Sequence, residues 1–318
     1  MINIIISGVS ILDKICKKSE IIRYFTSNIK ELFNYFENDF WNKLTAVRLS
    51  VCSPLIIEIG ADRFYLGSEG ITLRSSEAYR VTKNDISGIF ELVTNSSIYA
   101  YSRYVNEGFV TLSGGNRVGI SGNCTVVDGK VTVISDIFSL NFRIAHEKIG
   151  VSDSIIKYIY TGTKINSTLI ISPPGCGKTT FLRDIARSLG NYKSFNKIIV
   201  CALIDERYEL GCARDGCACL DIGENNFLIS GCTKSQGISI VTRSMAPDVI
   251  IVDEMCNSSD FEAAIYAKNS GCSIIASVHG ENERINEMKL SGYDNLFETV
   301  IVLSCKNGPG TVEKILGG

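Results

Sequence analysis

Apolar residues recur along this chain in two different rhythms, and the change from one to the other divides it. Between residues 21 and 45, Ile22, Phe25, Ile29, Leu32, Phe33, Phe36 and Phe40 fall at helical spacing. Alternation in Leu55-Ile56-Ile57-Glu58-Ile59 then opens a β-rich stretch, with a hairpin expected between Gly60 and Gly70. Residues 84–104 predict a helix. After it, Phe109–Leu112, Arg117–Ile120 and Val131–Ile134 are short strands, separated by the turn signals Ser113-Gly114-Gly115 and Asp128-Gly129. This mixture predicts an α+β amino-terminal domain over 21–150, behind an extension over 1–20 that carries Lys14, Lys17 and Lys18.

From about residue 150 the pattern becomes strand, helix, strand. Strands are expected at Thr168–Ile171, Ile198–Ile204, Val249–Val252, Ser273–Val278 and Thr299–Ser304. Apolar strands alternating with helices predict a parallel sheet covered on both faces, so residues 151–318 read as an α/β domain. The boundary falls between 145 and 152, and 318 residues suffice for two domains with their own cores.

Composition narrows the classes. Hydrophobic residues are 45% and charged residues 21%, which disfavours disorder, and a net charge of −2 gives no global support to a nucleic-acid partner. The apolar run Met1–Leu12 is shorter than the roughly 20 residues a bilayer span needs. It also lacks the flanks of a signal peptide, so a cytoplasmic protein with no integral membrane segment is expected. In that compartment the twelve cysteines read mostly as buried thiols, with disulfides disfavoured. The spacing of Cys212, Cys217, Cys219 and Cys232 is a poor match to a zinc site.

The strand Thr168–Ile171 leads into Ser172-Pro173-Pro174-Gly175-Cys176-Gly177-Lys178-Thr179-Thr180 and then a helix with Phe181, Leu182, Ile185 and Leu189 on one face. Gly190 is expected to cap that helix. Strand, glycine loop and helix in this order make a phosphate cradle. Backbone N–H groups and the helix N-terminus meet phosphate oxygens, Lys178 reaches the β- and γ-phosphates, and the Thr179 hydroxyl ligates Mg²⁺. Ser172 stands where the pattern has glycine; if that position requires φ > 0, serine costs roughly 1 kcal/mol or more.

Val249-Ile250-Ile251-Val252 ends in Asp253-Glu254. Asp253 is the expected Mg²⁺ holder and Glu254 the general base that polarises water; a strand ending in solvated acids is the bland alternative. The extra strand before it, together with Glu254, points to a RecA/AAA-like P-loop NTPase domain. In such sheets ligands lie beyond the carboxyl ends of the strands, so Asp205-Glu206-Arg207 and Ser277-Val278-His279 are expected to converge there. His279 is a candidate γ-phosphate sensor against an ordinary structural histidine. Arg207 and Arg243 are candidates for stabilising transition-state charge, against surface or structural ion pairs.

With these residues in view, the chain resembles the stage III sporulation protein AA family of endospore formers, relatives of type II and type IV secretion ATPases. The resemblance covers roughly residues 25–305. It is carried by Ser97–Tyr101, Gly108–Thr111, Gly114–Gly122 and Leu140–Ala145. In the second half it is carried by Pro173–Thr180, Asp205–Arg207, Arg243–Asp248, Val252–Glu254 and Ala276–Gly280. Asp205-Glu206 looks like the acidic box of secretion ATPases, and Ala276–Gly280 like their histidine box. The chain departs from the family at Ala46–Ser50, Ser172 and Cys256. The resemblance implies an ATPase at the mother-cell side of the septal membrane, a hexameric ring, and membrane proteins of the sporulation channel as partners. Two alternatives stay open: a nucleic-acid-remodelling ATPase and a nucleotide-binding scaffold with little turnover.

Overall fold

A computed structural model describes residues 17–95, 108–191, 197–213, 216–280 and 294–317. The chain forms two compact units, dividing between His146 and Glu147.

In the first unit, the helical rhythm of residues 21–45 becomes three short helices, α1 (Lys17–Ile22), α2 (Ser27–Leu32) and α3 (Asn38–Lys43), with no continuous rod. The apolar positions still point inward: Phe25, Ile29 and Phe33 are fully buried, with Phe36 and Phe40 packed against the same cluster. Strands β1 (Leu44–Ser50), β2 (Ile56–Ile59), β3 (Asp62–Gly67) and β4 (Gly70–Thr72) form a meander, and the hairpin expected between Gly60 and Gly70 is its middle. Helix α4 runs Lys83–Val93, opened by a capping box between Thr82 and Asp85. Residues 96–104 of the expected helix, and Ser97–Tyr101, lie outside the described residues, as do residues 1–16. Beyond them β5 (Phe109–Thr111) leads to a ribbon of β6 (Arg117–Val127) and β7 (Lys130–Arg143), much longer than the short strands expected. The sheet order is β4-β3-β2-β1-β7-β6-β5, antiparallel throughout.

The second unit holds a second seven-stranded sheet. In chain order its parts are α5 (Ile156–Ile159), β8 (Thr168–Ser172), α6 (Lys178–Gly190), β9 (Cys201–Asp205), β10 (Phe227–Ser230), α7 (Lys234–Ser244), β11 (Val249–Val252), α8 (Ser258–Asn269), β12 (Ser273–His279), β13 (Thr299–Ser304) and β14 (Thr311–Gly317). The order is β10-β9-β11-β12-β8-β13-β14, parallel except for β14. Side chains alternate between two cores: Ile250 and Val252 enter one, Val249 and Ile251 the other. Burial on both faces is why these strands are continuous apolar runs.

Two expectations change. Strand β9 begins at Cys201, and Ile198 is 56% exposed outside it. Gly190 is not a left-handed cap; Asn191 takes the cap position with φ −95°. Glycine is needed there for closeness, because a Cβ would lie 2.4 Å from the Asn226 side chain. Among the described residues, no helix is long and apolar enough to cross a membrane.

Candidate nucleotide site

Register lines up the carboxyl edge of the second sheet. Ile204 pairs with Val252, Val252 with Ala276, and Ser172 with His279. The residues next after these partners, Asp205, Asp253 and Ser277, therefore stand in a row, and His279 flanks the start of the glycine loop.

The loop turns through left-handed Gly175 (φ 75°) and Gly177 (φ 89°), conformations that glycine takes without strain. Ser172 needs no such conformation. It is the buried last residue of β8, its hydroxyl donating to Pro173 O at 2.9 Å, so the cost anticipated for serine does not arise. Pro174 and Gly175 are exposed at the summit, while Cys176 and Lys178 are buried at the base. Gly177 is the N-cap of α6 and supplies no side-chain acceptor, so the helix opens with uncapped amides.

Lys178, 5% exposed, directs Nζ to Pro173 O at 3.4 Å and His279 Nδ1 at 3.0 Å. Burial lowers its pKa, against the opposing pull of Asp253 and Glu254. The Thr179 hydroxyl donates to Asp253, and Ser277 donates to the other Asp253 oxygen. Ser277 Oγ also accepts from the Glu254 amide at 2.9 Å. Burial raises the Asp253 pKa, and the Ser277 and Thr179 hydroxyls only partly offset that.

Glu254 adopts φ 53°, an uncommon backbone conformation for a residue with a side chain. Its oxygens meet His279 Nε2 at 2.8 Å and Arg207 Nη1 at 3.0 Å. A closed circuit results: Thr179, Asp253, Ser277, Glu254, His279, Lys178. Beside it lies a cleft lined by Glu206, Arg207, Lys234, Asp253 and Glu254.

Asp205 stands at the same strand edge and lines the cleft, but its carboxylate is not hydrogen-bonded into the circuit. Its carboxylate, on a residue 2% exposed, accepts the amides of Glu209, Leu210, Gly211 and Cys212 at 2.6–3.3 Å. Glu206 is paired with Lys234, on the first turn of α7, at the cleft wall. Arg243 is exposed on the last turn of α7, its Nε bonded to Ser239 O at 3.1 Å, and does not reach the circuit. Thr180 follows Thr179 on the first turn of α6.

Cys176 in the loop is paired with Cys305, just past β13, although a disulfide was disfavoured on sequence grounds. Cys305, Lys234 and Ser277's double hydrogen bond were outside the expected site. Only Ser277 carried a signal, as part of the strand end bearing His279. Among the described residues no group of three or more His, Cys, Asp or Glu side chains is arranged to hold a metal. One carboxylate and one hydroxyl beside a phosphate cradle nevertheless match what Mg²⁺ takes, which is oxygen donors and few protein ligands. The residues present fit that ion.

The profile of the family described as "Sporulation stage III, protein AA" matches residues 15–317. The chain belongs to that family. The stage III sporulation protein AA of Bacillus subtilis (strain 168) is 32% identical over 302 residues, covering 93% of this chain and 94% of the relative. Among solved structures, the pilus retraction motor PilT with bound ADP superposes with TM-score 0.56 at 14% identity, covering 89% of this family member and 77% of PilT. The Legionella pneumophila ATPase DotB gives 0.54 at 15% identity, covering 86% and 75%. At such identities the likeness establishes the fold, which is RecA-like.

Proposed function

We propose that this chain is a Mg²⁺-dependent ATPase that powers or assembles a membrane-associated export or channel complex during endospore formation. The observation that carries the reading is the circuit joining Lys178 and Thr179 to Asp253 and Glu254 at the uncapped start of α6. A bare helix N-terminus beside a buried lysine, with an acid within reach of a hydroxyl, suits a nucleoside triphosphate and its cation.

In this reading the amides of Gly175 to Thr179 and the Lys178 ammonium bind the β- and γ-phosphates. The Thr179 hydroxyl and Asp253 carboxylate hold Mg²⁺, which when bound neutralises charge on the transferring phosphoryl group. Glu254 takes the proton of the attacking water. His279 and Arg207 keep its carboxylate aimed, and His279, touching Lys178 as well, is suited to sense the γ-phosphate. Arg243, exposed on its helix, is available to a neighbouring subunit. In the same reading the chain works as a homo-oligomeric ring peripheral to the septal membrane, with sporulation-channel proteins as partners; the family match supports the sporulation part of it.

Lys178→Ala is expected to abolish nucleotide binding or turnover. Glu254→Gln should still bind ATP while hydrolysing it roughly 10²–10⁴-fold more slowly, as loss of a general base implies. Undiminished hydrolysis by Glu254→Gln would sink the assignment of the base. Strong stimulation by single-stranded DNA with steep salt dependence would favour nucleic-acid remodelling instead.

A further inference from the structure

The glycine loop is held from one side by the turn between β13 and β14. The Gly310 amide donates to Cys176 O at 3.1 Å. The Cys176 and Cys305 sulfurs join across a Cα separation of 5.4 Å, within the range a disulfide spans without backbone movement. The approach is close on both sides: a Cβ on Gly310 would meet the Phe181 ring at 2.9 Å, and one on Gly177 would come within 3.7 Å of Gly310 N. The two residues differ in exposure: Cys305 is exposed and Cys176 is 3% exposed. A disulfide that ties the loop's buried base to an exposed cysteine favours exchange at the exposed end.

We propose that Cys176–Cys305 is a thiol-exchange modification site that sets how firmly the phosphate loop is ordered, with low-molecular-weight thiols and disulfides as its co-reactants. The proposal rests on the reading of residues 173–180 as a nucleotide loop. In the opening direction, a small thiolate attacks Sγ of Cys305. A new S–S bond forms, the Cys176–Cys305 bond breaks, and Cys176 leaves as a thiolate that takes up a proton. Cys176 immediately precedes the N-cap of α6, where the positive end of the helix favours a thiolate. A second small thiolate attacks the small-molecule sulfur of the mixed disulfide and releases Cys305, which is protonated in turn. Two small thiols are thus oxidised to one disulfide while the protein disulfide is reduced to two thiols. Closure is the reverse, with the small disulfide as oxidant.

When the tether is closed, the loop is already ordered, so nucleotide binding sacrifices less conformational freedom. The full chain, equilibrated in oxidised or in reduced glutathione, tests this by three measurements: peptide mapping by mass spectrometry, melting temperature, and titration with a fluorescent ATP analogue and Mg²⁺. A Cys176–Cys305 cross-linked peptide, a melting temperature raised by several degrees and a several-fold lower Kd are expected in oxidised glutathione only. Cys305→Ser should give the reduced wild-type values in both buffers. Separate 176 and 305 peptides in oxidised glutathione would overturn the proposal. So would a verified cross-link with an unchanged Kd. A verified cross-link with no nucleotide bound in either buffer would overturn the reading of the loop, and this proposal with it.

Discussion

Two neighbouring strands of the second sheet end alike in sequence and unlike in use. Strand β9 closes with Leu203-Ile204-Asp205 followed by Glu206, and β11 with Ile251-Val252 followed by Asp253-Glu254. Register sets Ile204 beside Val252, so the two Asp-Glu pairs stand side by side. Asp205 is taken up by four amides of its own following loop. Asp253 has only two hydroxyl partners, Thr179 and Ser277, and burial pushes its pKa up. A carboxylate surrounded by backbone donors builds structure. One held by hydroxyls, which can turn away, keeps its oxygens open to a cation. The second acids diverge as well: Glu206 pairs with Lys234, whereas Glu254 meets a histidine and an arginine at the loop.

Substitutions can break this contrast. The largest expected effect is on turnover: Asp253→Asn should lower ATP hydrolysis about a thousand-fold, roughly 4 kcal/mol, by removing the carboxylate we propose as the Mg²⁺ holder. The same variant should melt no lower than wild type in chelator at neutral pH. The sign follows from linkage: a carboxyl whose folded pKa is raised adds stability while protonated and loses that contribution as pH rises through its folded pKa. Asp205→Ala should show the opposite profile, losing about 3 kcal/mol of stability in urea unfolding because four loop amides lose their acceptor. If Asp205→Ala proves as stable as wild type, the division of labour between the two strands fails. The smallest effect belongs to Glu206→Gln, whose partly exposed pair with Lys234 should contribute no more than about 1 kcal/mol to thermal stability.

What was legible in the sequence follows the same division. The loop at 173–180, Asp253, Glu254 and His279 were readable because their spacing along strands maps directly onto one sheet edge. The fate of Asp205 was not, since it depends on how residues 209–212 curl back, with Tyr208 (φ 57°) and Cys212 (φ 51°) left-handed. Strand β14 and the short β10 escaped because edge strands lack the continuous apolar run that marks the centre: Phe227 is exposed and β14 alternates only partly buried with exposed positions. In the first unit, the helical spacing of the apolar positions in residues 21–45 does mark the side that packs into the core. The breaks between α1, α2 and α3 were not legible, because helical spacing carries the side that faces inward but not where the helix ends.

Ser172 has one last consequence, for how such chains are found. The strand delivers it in ordinary extended backbone, and the two left-handed bends fall at Gly175 and Gly177. Glycine in the leading position is therefore not enforced by the geometry here. A search pattern anchored on that first glycine passes over this chain, while one anchored on the two bends and the lysine retrieves it.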